Sequence, residues 1–275
     1  MIKKMTGEEE ALQVLLRDYS LPYNTRACYH GIMKDGRLVG VLWTWDKTMH
    51  DSSQYFFIFI EPDHRGQGLG SLALDYIKET CDRPLLQCGL GHQSTWLEAR
   101  GFKVFRVTYE DSPLISDLKM PDHKHVELMA LRDLDGSNWL DLAGLVKEIY
   151  TQTHLDNPVK ALGVEAWLDL IRADVYEEAS FVCKTKQGIQ AFGLCHMDHK
   201  TPALGWRGTQ DHLDETLLSL ILYHQLKCLK DRGYQAVDVE IDTTDPYMMT
   251  LFKDLSISRQ DTWYSYQYRK DAYAV

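Results

Sequence analysis

A chain of 275 residues, 44% hydrophobic and 25% charged, is long enough to bury the core of one large domain or of two ordinary ones, and its composition excludes disordered and low-complexity scaffolds. Lysine and arginine number 30 against 40 acidic residues, a net charge of -10, so the surface as a whole does not attract a phosphate backbone and no nucleic-acid partner is expected. The opening MIKKMTGEEE holds no apolar stretch and no long apolar run follows, so neither a secretory signal nor a membrane span is read, and a cytoplasmic location is expected.

In chain order, the first strong signal is a hairpin over residues 28 to 44, turned by Lys34-Asp35-Gly36. A strand at 53 to 60 (SQYFFIFI) follows, apolar on both faces near its end, as suits a central strand. Beyond Gly70, LALDYIKETC places Leu72, Tyr76 and Ile77 at helical spacing, and Pro84 closes the connection behind it. A short strand near 85 to 89, a helical piece from Ser94 to Arg100, Gly101 as its stop and a strand at 102 to 109 come next. From Asp111 to Lys124 there are two prolines, several charges and no periodicity, which reads as a connection, with the linker itself at 116–124.

Order then returns. A strand at 125 to 131 leads into helices at 138 to 151 and 161 to 172, a hairpin at 180 to 197, and an apolar helix at 217 to 230 stopped by Gly233. A strand at 234 to 241, a helix near 246 to 254 and a strand at 262 to 268 close the chain. Matching elements recur about 150 residues apart, a repeat of a whole domain. The fold class expected is α/β (α+β), with domains at 1–115 and 125–275, each a mixed, mostly antiparallel twisted sheet flanked by helices. Six cysteines, Cys28, Cys81, Cys88, Cys183, Cys195 and Cys228, include no C-x-x-C pair, so no metal site is expected.

One segment rises above this background: Ile60-Glu61-Pro62-Asp63-His64-Arg65-Gly66-Gln67-Gly68-Leu69-Gly70 leaves a strand and opens a helix. Alternate glycines let the chain turn tightly with its N–H groups converging, and the helix behind them adds its positive end, so an anionic phosphate can dock. The glycines do not follow the Rossmann spacing, and no Lys-Ser/Thr follows to make a P-loop. Arg65-x-x-Gly68-x-Gly70 behind Pro62 and a strand resembles the pyrophosphate-binding motif of the GCN5-related N-acetyltransferases (GNAT). The resemblance implies acetyl-CoA, or another short acyl-CoA, held by Arg65, Gly66, Gln67, Gly68, Leu69 and Gly70. It also implies a backbone donor for the developing oxyanion near Phe59 or Ile60. STWLEARGF at 94 to 102 is similar to the family's next motif, except that Leu97, with Trp96 beside it, stands where a tyrosine usually protonates the departing thiolate.

The second half resembles the same fold with its cofactor loop erased: Asp211, Asp214, Leu217 and Ser219 fall where Pro62, Arg65, Gly68 and Gly70 stand. EIDTTDPYMMTLFKDLSI at 240 to 257 looks like the family's late stretch, with Asp245 and Phe252 in the asparagine and tyrosine places. Only the N-terminal domain is therefore expected to hold a nucleotide cofactor.

Acyl transfer to an amine needs a neutral amine, oxyanion donors and a proton for sulfur. Gln54 occupies a common base position of the family and cannot take a proton, which leaves Asp51, Tyr55 or Glu61 acting through water. His92 is a further candidate as a neutral imidazole. Each also has a plain reading: Glu61 as a strand-end carboxylate, Tyr55 as core, Asp51 as a loop residue, His92 as a helix cap. The His196-Asp198-His199 group reads as a solvated turn. The leading expectation is an acetyl-CoA-dependent N-acetyltransferase acting on the primary amine of a small cationic molecule, as monomer or homodimer. An acyl-CoA-binding sensor of weak activity and a peptide or protein N-acetyltransferase are the alternatives.

Overall fold

The computed structural model describes residues 1–22, 24–115, 126–198 and 200–270. The linker expected at 116–124, and His199 of the histidine group, lie outside the described residues. The chain forms two compact units: one comprises Met1–Phe105, Asn157–Lys160 and the chain from Ser265, the other Arg106–Asp156 and Ala161–Tyr264. The units are thus not the two halves expected at 1–115 and 125–275. Each takes its last strand residues from the other half, and alternation along a strand says nothing about which sheet it will join.

In the first unit, β1 (Ile2–Met5) leads to α1 (Glu10–Asp18), and β2 (Cys28–Lys34) and β3 (Arg37–Trp45) form the expected hairpin. β4 (Gln54–Ile60), α2 (Leu69–Thr80), β5 (Leu85–Leu90) and α3 (Thr95–Glu98) follow. The sheet order is β1-β2-β3-β4-β5, and the end of β12 (Asp261–Tyr268) lies next to β5. β1 and α1 were not anticipated. α1 forms because Leu12, Leu15 and Leu16 recur at helical spacing and are all buried. They pack with Tyr29, Val41 and Trp43 on one sheet face, and each such side chain withdrawn from water stabilises by roughly 1.5–3 kcal/mol.

β4 alternates as a central strand should. Tyr55, Phe57 and Phe59 share the face bearing Trp45, Trp43 and Tyr19, with ring centroids 5.9, 4.6 and 4.7 Å apart pair by pair. Phe56 meets Phe102, 5.6 Å away, on the opposite face. α2 buries Ala73, Leu74 and Ile77.

In the second unit, β6 (Lys103–Asp111), most of which belongs here, starts the order β6-β11-β10-β9-β8-β7. Its strands are β7 (Leu128–Ala130), β8 (Phe181–Thr185), β9 (Gly188–Asp198), β10 (Thr201–Thr209) and β11 (Asp238–Asp242). The helices are α4 (Gly136–Thr153), α5 (Val164–Arg172), α6 (Glu215–Asp231), α7 (Pro246–Met249) and α8 (Leu251–Asp254). The expected hairpin is β8–β9; β10, pairing antiparallel with β9 and parallel with β11, was not anticipated. The strand expected at 125 to 131 is shorter because the chain turns into a 3-10 helix at Leu131–Asp133. No described helix is long and apolar enough to cross a membrane.

Candidate functional site

The glycine segment connects β4 to α2 as its composition requires. A 3-10 turn at Pro62–His64 leaves the strand, and Gly66 and Gly68 adopt φ of 71° and 80°, a left-handed conformation that costs other residues roughly 1–2 kcal/mol. A Cβ built on either would meet nothing within 4 Å, so the space over both is open. Gly68 is the N-cap of α2 and brings no side chain to its first turn. The N–H groups of the first turn and the positive end of the helix dipole therefore have no side-chain cap.

Arg65 closes the loop: its Nε donates to Ile60 O at 2.9 Å, and its guanidinium lies 5.9 Å from the Phe59 ring centroid. Gln67 Nε2 donates to Asp63 O at 3.2 Å, and Lys34 Nζ donates to the Gln67 side-chain oxygen. Trp96 lies 3.5 Å from where a Gly70 Cβ would be, and Arg100 sits over its ring while donating to Ser71 Oγ at 2.8 Å. Glu61, 8% exposed, accepts two hydrogen bonds from Arg37 Nη2 at 3.3 and 3.2 Å, and its Oε2 is 3.7 Å from His64 Nε2. It anchors the strand end from which the loop departs.

Alternation of the β4 backbone sorts the two expected oxyanion donors. Gln54 N–H donates to Pro84 O on the β5 side and Glu61 N–H to Val39 O on the β3 side, so even-numbered residues aim their N–H toward β5. Ile60 and Ile58 qualify and Phe59 does not. The parallel ladder joins Gln54 with Leu85 and Tyr55 with Leu86, and it stops there although β4 runs on to Ile60 and β5 to Leu90. Ile58 was not singled out from sequence; the register of β4 against β3 gives its N–H the same direction as that of Ile60.

The remaining candidates fall in different places. His92 is exposed between β5 and α3. Leu97, in the tyrosine position, is buried at 3% exposure. Its helix is held instead by Tyr266, whose hydroxyl accepts from Ser94 N at 2.7 Å and donates to Glu98 Oε1 at 3.1 Å. Tyr55 and Asp51 share a neighbour, the segment Asn157–Lys160. Asn157 Nδ2 donates to Tyr55 Oη at 2.7 Å, and Lys160 Nζ is 3.9 Å from Asp51 Oδ2. Gln54 Nε2 donates to Trp45 O at 2.8 Å, and Arg83 donates to its side-chain oxygen.

The turn from β10 to α6 in the second unit is built differently. β10 passes into α6 through residues 210–214, and the Asp214 carboxylate accepts the Leu217 N–H at 2.9 Å. A fixed negative charge thus occupies the α6 terminus and would repel a phosphate. Arg207, 2% exposed, donates to Leu218 O at 2.6 Å, and burial pushes its guanidinium down to about 10. Among the described residues no group of histidine, cysteine and acidic side chains could hold a metal ion.

Residues 4–95, about a third of the chain, match the acetyltransferase (GNAT) family. The chain is similar over 98% of its length to a GCN5-related N-acetyltransferase from Sphaerobacter thermophilus, at 13% identity, 95% of that chain and a TM-score of 0.63. The chain has the GNAT acetyltransferase fold. A tandem GNAT protein from the clavulanic acid biosynthesis pathway is similar over 98% of both chains, at 10% identity and a TM-score of 0.53. A GCN5-related N-acetyltransferase from Anabaena variabilis is similar over 96% of this chain and 72% of that one, at 12% identity and a TM-score of 0.53. Such identities carry fold alone. No curated protein matches significantly. The GNAT match over residues 4–95 is consistent with acyltransferase activity, and it spans the whole glycine segment.

Proposed function

We propose that this chain is an acetyl-CoA-dependent N-acetyltransferase acting on the primary amine of a small cationic molecule, with one cofactor per chain, bound by the first unit. The observation that carries the reading is the contrast between two helix termini. α2 opens behind two left-handed glycines with no side-chain cap, whereas α6 is capped by its own Asp214. The residues present fit acyl-CoA: an open cradle for the diphosphate at Gly66 to Gly70, and β4 N–H groups aimed toward β5 past the end of their ladder.

When bound, acyl-CoA supplies the thioester. The amine nitrogen bonds to the acyl carbon as the C–S bond breaks; one proton leaves the nitrogen and one reaches the sulfur. In this reading Ile58 and Ile60 offer N–H groups to the oxyanion. Tyr55 and Asp51 serve the acceptor side through water. Glu61, tied to Arg37, holds the loop, and His92 is the remaining proton carrier. The burial of Leu97 in the tyrosine's place favours the second reading, an acyl-CoA-binding sensor of weak activity.

Calorimetric titration with acetyl-CoA tests the proposal. One site per chain is expected, abolished by Gly68→Trp without loss of fold. Unchanged affinity in Gly68→Trp would sink the loop assignment, and two sites would overturn the reading of the second unit. Binding without CoA release in the presence of any amine would leave the sensor.

A further inference from the structure

We infer that Asn157 is a specificity residue of the acceptor site, taking an N–H of the amine substrate on its side-chain oxygen. The inference rests on the acyl-transfer reading above. Asn157 lies in the stretch between α4 and α5, yet it belongs to the first unit. It is 7% exposed, and its Oδ1 is buried with no hydrogen-bond partner among the described residues. Buried amide oxygens are nearly always satisfied, and one that is not favours the arrival of a donor. The amide's other atoms are committed: Nδ2 donates to Tyr55 Oη at 2.7 Å, and the backbone oxygen is 2.8 Å from His50 Nδ1.

The segment is secured to the loop before β4. Lys160 N donates to Met49 O at 2.7 Å, and Ser52 Oγ donates to Pro158 O at 3.4 Å. The unmet oxygen is therefore fixed in place next to a candidate catalytic hydroxyl.

The surroundings specify the donor. Tyr55 stacks on Trp45 with centroids 5.9 Å apart, and the Lys47 ammonium sits 5.0 Å from the Tyr55 ring centroid. That ring face already accepts an alkylammonium, held there by an exposed, flexible side chain that can swing into water. Asp46 and Asp51 on the same loop add negative charge, each tied to a cation, Arg83 at 2.8 Å and Lys160 at 3.9 Å. An aromatic face, flanking carboxylates and a bare amide oxygen suit a small primary amine that enters as the ammonium, gives one proton to water before attack, and presents an N–H to Asn157.

The test uses the full chain, acetyl-CoA, and putrescine, spermidine, tyramine and free lysine as acceptors, with CoA release as readout. At least one amine is expected to be acetylated. Asn157→Leu is expected to raise the KM for that amine about tenfold, the loss of one hydrogen bond to the substrate, with acetyl-CoA affinity little changed. Asn157→Asp keeps an acceptor oxygen, so its KM should stay near or below that of the parent protein. Unchanged KM in Asn157→Leu would overturn the inference, the oxygen then holding only water. Equal damage in both variants would overturn it too, since a merely structural amide does not separate leucine from aspartate. If acetyl-CoA binds and none of the four amines promotes CoA release, the acceptor assignment fails; if acetyl-CoA does not bind, the parent reading fails first.

Discussion

Asp245 offers a test of the electrostatics of the second unit. Its carboxylate caps α7, accepting the Tyr247 and Met248 N–H groups at 2.9 and 3.0 Å. Burial nevertheless raises it from 3.8 to about 6, outweighing those two hydrogen bonds and the attraction of Arg207, while Asp242 adds to the rise. The folded state therefore holds this proton more tightly than the unfolded chain does. Below about pH 3.8 the group is protonated in both states and contributes nothing; above about 6 it is ionised in both and the fold bears the burial of the charge. Stability from this group is thus lost as pH rises from about 4 to about 6. At roughly 1.4 kcal/mol per pH unit, the rise from 3.8 to about 6 amounts to at most about 3 kcal/mol. Asn at this position keeps the capping oxygen and cannot ionise. Urea unfolding of Asp245→Asn and the parent protein between pH 4 and 7 should show the two equal near pH 4 and the variant more stable at pH 7. A variant less stable at pH 7 would refute the reasoning, because attraction to Arg207 would then exceed the penalty of burying the carboxylate.

Other expectations follow from single contacts. Asp214→Ala removes the cap of α6 and should cost about 1 kcal/mol in urea unfolding, with acetyl-CoA affinity unchanged in calorimetry. Tyr266→Phe leaves the half-buried Ser94 N–H without its acceptor and should cost about 1 kcal/mol, read as a lowered Tm. Titration of native thiols with an aromatic disulfide should consume exposed Cys28 first. Cys195, buried and pushed up to about 12 by that burial, should react only after unfolding.

The glycine turn between β4 and α2 was legible because its demands are local. Left-handed turns need glycine and an open helix terminus needs a missing cap, and both are written within residues 60–70. α1 is equally local: Leu12, Leu15 and Leu16 recur at helical spacing, behind a turn in which Thr6 N donates to Glu9 Oε1 at 2.9 Å. β10 carries Pro202, Gly205 and Gly208, residues disfavoured in a strand, so its sequence does not announce one. Gly208 is needed there because a Cβ would collide with Ile149, and a Cβ on Gly205 with the His196 ring. Asn157 was not legible at all. Its meaning lies in Tyr55 and His50, about a hundred residues away, and no pattern within the stretch 154–163 announces which strand it will meet.

The same non-locality bears on how the two units divide their work. Two strands of like position, β4 and β10, each run parallel to a neighbour for only two residue pairs before the ladder ends. Past that point β4 continues with Ile58 and Ile60, followed by an open glycine turn. β10 continues with the buried cation Arg207, followed by a turn whose own carboxylate fills the helix terminus. A guanidinium with Nε and Nη1 lacking partners is costly to bury; Asp245 and Asp254 raise its pKa against that burial. The second unit thus holds a buried cation and its acids on β10 and beside α6, where the first unit has the open glycine turn behind β4. Placing glycine at Asp214, the N-cap of α6 as Gly68 is of α2, should therefore not create a cofactor site by itself, since Arg207 and its acids remain. A second acetyl-CoA site appearing in Asp214→Gly by calorimetry would show that the cap alone had closed the second unit.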